Sequence, residues 1–136
     1  MNIYLDIYGV FKGTASSAAD LTELMTFILD NFPGHIFWLT TYCKNGANNA
    51  RRALANVFSD DLLDRIDAEI VPADWGELKT DAIDFDEDFI WLDDILRPSE
   101  REVLVLHNAL DKQFLMDMYD PLMAQKARTE IQARMS

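Results

Sequence analysis

A three-layer α/β fold around a mainly parallel sheet of about five strands is the class this sequence predicts. Short apolar runs at residues 3–6, 36–40, 70–71, 89–92 and 114–118 alternate with stretches of helical periodicity. The run Phe89-Ile90-Trp91-Leu92 places four large apolar residues in succession. A strand with one face in water alternates, so this run belongs to a sheet covered on both faces.

The elements follow in order. Residues 3–6 form the first strand and deliver Asp6 into a turn at Gly9, with a loop through Gly13 and Thr14. Ser16 or Ser17 caps a helix on which Leu21, Leu24, Met25, Ile28, Leu29 and Phe32 recur at steps of three and four, and Pro33-Gly34 stops it. Ile36-Phe37-Trp38-Leu39 reads as a second buried strand ending in Thr40-Thr41. After a turn at Asn45-Gly46, Ala50, Ala53, Leu54 and Val57 give another helical face, and Ser59 caps a following helix. Ile70-Val71 is the third strand, closed by Pro72. Trp75, Leu78, Lys79 and Ala82 then share one side of a brief helix. The fourth strand delivers Asp93-Asp94, and Pro98 and Ser99 open a helix carrying Val103, Leu106, His107 and Leu110. A fifth strand over 114–118 and a helix after Pro121 complete the chain.

The 136 residues, 49% hydrophobic and 26% charged, suit one globular domain over 1–136. A formal net charge of −12, with twelve Lys and Arg scattered and no basic run, repels phosphate backbones and anionic bilayers. Nucleic acid and membrane are therefore not the expected partners. The single cysteine, Cys43, excludes an internal disulfide framework, and no basic segment precedes the first apolar run, so a reducing cytoplasm is the expected location. No stretch approaches the roughly 20 apolar residues of a membrane helix. His35 and His107 lack a third ligand nearby in sequence, which argues against zinc, and Cys43 has no partner pattern of a nucleophile.

Parallel strands put their carboxyl ends on one edge, so Asp6, Thr40 and Asp93-Asp94 are expected to converge there. Carboxylates brought together raise one another's pKa, and such a cluster calls for a hard cation such as Mg²⁺. The Thr40 hydroxyl, with Thr41 able to play the same part, and the Lys79 ammonium supply donors for an anionic, phosphate-like group. Trp75 is placed to line the site, Tyr42, Cys43 and Lys44 to shape its opening, and Trp38 and Trp91 to pack in the core.

These motifs, in this order and over nearly the whole chain, resemble the haloacid dehalogenase superfamily of hydrolases and phosphotransferases. In that family the first strand ends in Asp-x-Asp-Gly, matched here by Asp6-Ile7-Tyr8-Gly9 with the second Asp replaced. The second strand ends in Ser or Thr, matched by Thr40. A Lys ahead of the fourth strand is matched by Lys79, and the acidic pair after it by Asp93-Asp94. Bacterial receiver domains use the same residue types in a different order, with the acidic pair after the first strand and the Lys last. The resemblance implies a Rossmann-like fold and a phosphatase-type reaction in which Asp6 forms an aspartyl-phosphate that water then hydrolyses. It also implies Mg²⁺ held by Asp6, the backbone carbonyl of Tyr8, and Asp93 or Asp94.

The departure is Tyr8. The family's second Asp is its general acid and base, a role worth about 10²–10⁴-fold in rate. Tyrosine, with a reference pKa of about 10, donates a proton but is a poor base near neutrality. Slow or specialised turnover is the expectation, and a catalytically impaired domain that binds a ligand or partner is the alternative. The dehalogenases themselves carry Asp-x-Tyr-Gly, because halide leaves unprotonated, but they work beneath an inserted cap and without metal. Residues 8–16 leave no room for such a cap. A capless member keeps its catalytic edge open, which the resemblance links with large substrates or with a homo-oligomer whose neighbour covers it. A phosphorylated small molecule or protein is the expected substrate.

Overall fold

The computed structural model describes residues 1–135 and contains five strands in one all-parallel sheet. They are β1 (Asn2–Leu5), β2 (Ile36–Trp38), β3 (Val71–Pro72), β4 (Phe89–Asp93) and β5 (Gln113–Leu115), in the order β3-β2-β1-β4-β5. The helices are α1 (Ala18–Asn31), α2 (Ala50–Leu54), α3 (Asp60–Glu69), α4 (Pro98–Leu106) and α5 (Met123–Arg134).

The period of two along each strand sorts side chains into two layers. Ile3, Leu5, Ile36, Trp38, Ile90 and Leu92 join a core that includes Leu24 and Ile28 of α1, Leu63 and Ile66 of α3, and Ala127 and Ile131 of α5. Tyr4, Leu39, Phe89 and Trp91 form a second core with Trp75, Ile83, Leu104 and Ala109. The sheet is thus covered on both faces, the three-layer Rossmann-like arrangement expected from the buried run before Asp93. Trp38 and Trp91 are 1% and 0% exposed. Burial of each such side chain contributes about 1.5–3 kcal/mol.

Helix starts agree with their sequence signals. The Ser17 hydroxyl accepts from Asp20 N at 3.1 Å and that of Ser59 from Leu62 N at 3.3 Å. Strand ends differ from expectation. β2 stops at Trp38, although Leu39 N still donates to Leu5 O at 2.8 Å. β3 includes Pro72, which an edge strand tolerates because no ladder donor is needed on its open side. β5 ends at Leu115, where the chain leaves the sheet after Met116 N donates to Asp93 O.

Two helical expectations need correction. The brief helix near Lys79 is a 3₁₀ turn, Lys79–Ala82, which leaves Trp75 in the preceding loop. On α4 the buried residues are Glu100 and Leu104, while Leu106 is 82% exposed and His107 stacks on Phe85 at 3.9 Å between ring centres. The helix stops at Leu106, Asn108 turns the chain at φ 53°, and Leu110 falls in a separate 3₁₀ turn, Leu110–Lys112. Among the described residues, no helix is long and apolar enough to cross a membrane.

Candidate active site

The chain lays β2 and β3 on one side of β1 and then crosses to lay β4 and β5 on the other. The carboxyl ends of β1 and β4 therefore flank the point where strand order reverses, the usual crevice of open α/β sheets. Leu5 pairs with Leu92, so the next residues, Asp6 and Asp93, stand side by side. Asp6 N donates to Leu92 O at 3.0 Å, and Asp6 Oδ1 accepts from Ile7 N at 2.8 Å, which fixes the carboxylate. Asp93 is 1% exposed, and its Oδ1 accepts from Ile95 N at 3.1 Å.

Lys79 joins the two acids. Its Nζ lies 3.1 Å from Asp6 Oδ2 and 2.6 Å from Asp93 Oδ2. Burial pulls the ammonium's pKa down, but the charges of Asp6 and Asp93 and their hydrogen bonds outweigh it and hold it above its ordinary value. Burial, reinforced by the charge of Asp6, pushes the Asp93 carboxyl up to about 8 despite the Lys79 contact. One ammonium does not compensate two neighbouring acids in so dry a place.

Glu100 sets the position of Lys79. It is 2% exposed at the third position of α4, where its Oε2 accepts from Lys79 N at 2.9 Å and its Oε1 from Arg97 N at 3.2 Å. Half of this is the ordinary return bond of a helix N-terminus, made by a Glu three residues after the cap. The other half ties the 3₁₀ turn to α4. Sequence reasoning did not find Glu100; the signal present was Arg97-Pro98-Ser99-Glu100, which marks a helix start without naming the second donor.

Asp94 completes a cluster whose carboxylate oxygens, one from each of Asp6, Asp93 and Asp94, lie within 4.8 Å of one another. Gly9 makes room for it. A Cβ at Gly9 would fall 2.3 Å from Asp94 Cγ, and the residue's φ of +82° also favours glycine. Three hard oxygen donors, two of them buried, fit a divalent cation such as Mg²⁺.

The acids open into a cleft of about 560 Å³ whose walls include Tyr8, Thr41, Tyr42, Lys44, Trp75, Lys79 and Arg97. Tyr8 is 49% exposed and its ring rests on Gly13, where a Cβ would meet ring carbon Cε2 at 2.7 Å. Of the two threonines, Thr41 lines the cleft and Thr40 is fully buried. The Thr40 hydroxyl accepts from Tyr42 N at 3.4 Å, and its carbonyl accepts from Trp75 Nε1 at 3.2 Å. Cys43 is buried, and burial raises its thiol's pKa. His35 lies at the other end of the sheet, its Nδ1 3.0 Å from Asn2 Oδ1. Glu77, Ile95, Arg97 and Glu100 also line the cleft, and none was expected from the sequence. Comparison with protein-family models, curated proteins and solved structures finds no match.

Proposed function

We propose that the chain is a Mg²⁺-dependent phosphohydrolase of phosphatase type that works through an aspartyl-phosphate on Asp6, specialised for substrates with good leaving groups. The observation that carries this reading is the Asp6-Lys79-Asp93 bridge at the sheet's reversal point, with Asp94 beside it. The motif order of the haloacid dehalogenase superfamily supports it, and the open cleft suits a phosphorylated small molecule or protein.

Asp6 Oδ1 is held by Ile7 N, which leaves Oδ2, beside the Lys79 ammonium, to attack phosphorus as the bond to the leaving oxygen breaks. Lys79 Nζ then faces the incoming negative charge. Mg²⁺ held by Asp6, the main-chain carbonyl of Tyr8, Asp93 and Asp94 would neutralise charge on the transferring group. Water completes the reaction by attacking phosphorus and releasing Asp6. Tyr8 stands where the acid and base belongs. Its hydroxyl serves a leaving group that needs little protonation and removes a proton from water poorly.

Tyr8→Asp should therefore raise Mg²⁺-dependent hydrolysis of both an aryl and an alkyl phosphate, by about 10²–10⁴-fold for the alkyl ester. The unaltered chain should turn over 4-nitrophenyl phosphate measurably and glycerol phosphate hardly at all. Steady-state release of inorganic phosphate reads both. A variant that gains nothing would favour a ligand-binding role for the domain. Halide release from a 2-haloacid without metal would favour the dehalogenase chemistry of Asp-x-Tyr-Gly.

A further inference from the structure

Lys44 is set apart from the other cations of the cleft. Lys79 is committed to Asp6 and Asp93, and Arg97 to Glu100 and to the carbonyl of Glu77, where its Nη2 donates at 3.0 Å. Lys44 makes no ion pair among the described residues, in a chain that carries 24 Asp and Glu. Its Nζ instead stands 4.0 Å from the centre of the Trp75 ring.

That place is built. Trp75 is 5% exposed and anchored through its indole N–H to the Thr40 carbonyl at the end of β2. The segment Thr41–Gly46 is kinked, with Lys44 extended at ψ 149° and Asn45 left-handed at φ 60°. Asn49 N donates to Tyr42 O at 3.0 Å and ties the chain that follows the segment back to its start, fixing the backbone from which Lys44 reaches the indole. Lys79 Nζ lies 5.9 Å from the same ring centre. The ammonium beside the reacting carboxylate and the uncommitted one thus share a single wall, within the span of a small ligand.

We propose that the cleft takes a phosphoester bearing a second anionic group, and that Lys44 receives that group while Lys79 faces the phosphoryl. This rests on the phosphohydrolase reading and narrows its substrate class. An unpaired ammonium on an aromatic wall gains most from an anion brought by the ligand, because no internal carboxylate competes for it. In a protein of net charge −12, it also sets one cation without an ion-pair partner beside the acids of the cleft.

The test uses two non-hydrolysable probes, phenylphosphonate and 4-carboxyphenylphosphonate, titrated calorimetrically into the full chain with Mg²⁺ present. The unaltered chain should bind the carboxylated probe about 10-fold more tightly, and Lys44→Met should bring the ratio close to one. Lys44→Arg should keep the preference. Lys12→Met should also keep it, since Lys12 Nζ stands 5.8 Å over the Tyr42 ring but does not line the cleft. Equal binding of the two probes by the unaltered chain, or a preference that survives Lys44→Met, would overturn the role of Lys44 and leave the phosphohydrolase reading standing. Failure of both probes to bind would overturn both.

Discussion

Gly9 shows how one missing methyl group organises the acidic cluster. Its φ of +82° and the approach of Asp94 are independent demands for glycine, and they act together. Gly9→Ala should cost about 1–2 kcal/mol for the left-handed backbone alone, and the clash with Asp94 adds to it. Urea denaturation measures the loss, and Mg²⁺ titration should show weaker binding, because the displaced carboxylate is one of three candidate ligands. Unchanged Mg²⁺ affinity would separate Asp94 from the metal. The sequence made Gly9 legible as a turn and Asp94 as an acid after a strand. Their contact was not legible, since it joins residues far apart in the chain and depends on the pairing of β1 with β4.

At the scale of elements, α4 does more than cover the sheet. Through Glu100, its first turn holds the backbone of Lys79 and so fixes where the ammonium starts its reach toward the acids. Glu100→Ala leaves two part-buried backbone N–H groups without their acceptor, a cost of about 1–2 kcal/mol, and urea denaturation should find it. Glu100→Gln keeps one acceptor oxygen and should lose less. A Glu100→Ala variant as stable as the parent would show that water replaces the carboxylate at no cost. Helix and strand order were readable because periodicity and capping are local: Ser17, Ser59 and Pro98 sit where their chemistry predicts. The apolar face of α4 was misread because a run of Val and Leu looks the same whether a turn buries it or leaves it in water. Only the break after Leu106 decides that.

Over the whole molecule, the acids at the reversal point couple protonation to stability, and the proposed Mg²⁺ site would couple both to metal. Asp93 has its pKa raised to about 8, against an ordinary carboxylate value near 4 in the unfolded chain. The folded protein therefore holds a proton there that the unfolded chain has lost. Its contribution to stability is complete below the unfolded pKa and disappears as pH rises through the folded one. Without metal, the melting temperature should fall between pH 6 and pH 8. In the proposed Mg²⁺ site a divalent cation would replace that proton, so Mg²⁺ should raise the melting temperature more at pH 8 than at pH 6. At ten times the dissociation constant, the gain is about 1.4 kcal/mol, or roughly 4–6 °C for a chain of this size. Thermal melts with and without Mg²⁺ at the two pH values decide it, and an equal increment at both would overturn the coupling. The convergence of Asp6, Asp93 and Asp94 was legible in the sequence because parallel strands share one carboxyl edge. Thr40, expected beside them, is fully buried and does not line the cleft, and Lys79 arrives from a 3₁₀ turn that the edge rule does not place. The cleft wall of Lys44, Trp75 and Arg97 was legible only in part, because loops decide which side chains turn inward.

The pairing of Leu5 with Leu92 has a wider meaning than alignment. A slip of one residue between β1 and β4 would send Ile3 and Leu5, or Ile90 and Leu92, into the wrong layer, and it would also part Asp6 from Asp93. Two greasy layers and one pair of neighbouring acids are thus governed by a single choice. The sheet works as a vernier that, once locked by its packing, has no setting in which the fold is right and the two acids are parted.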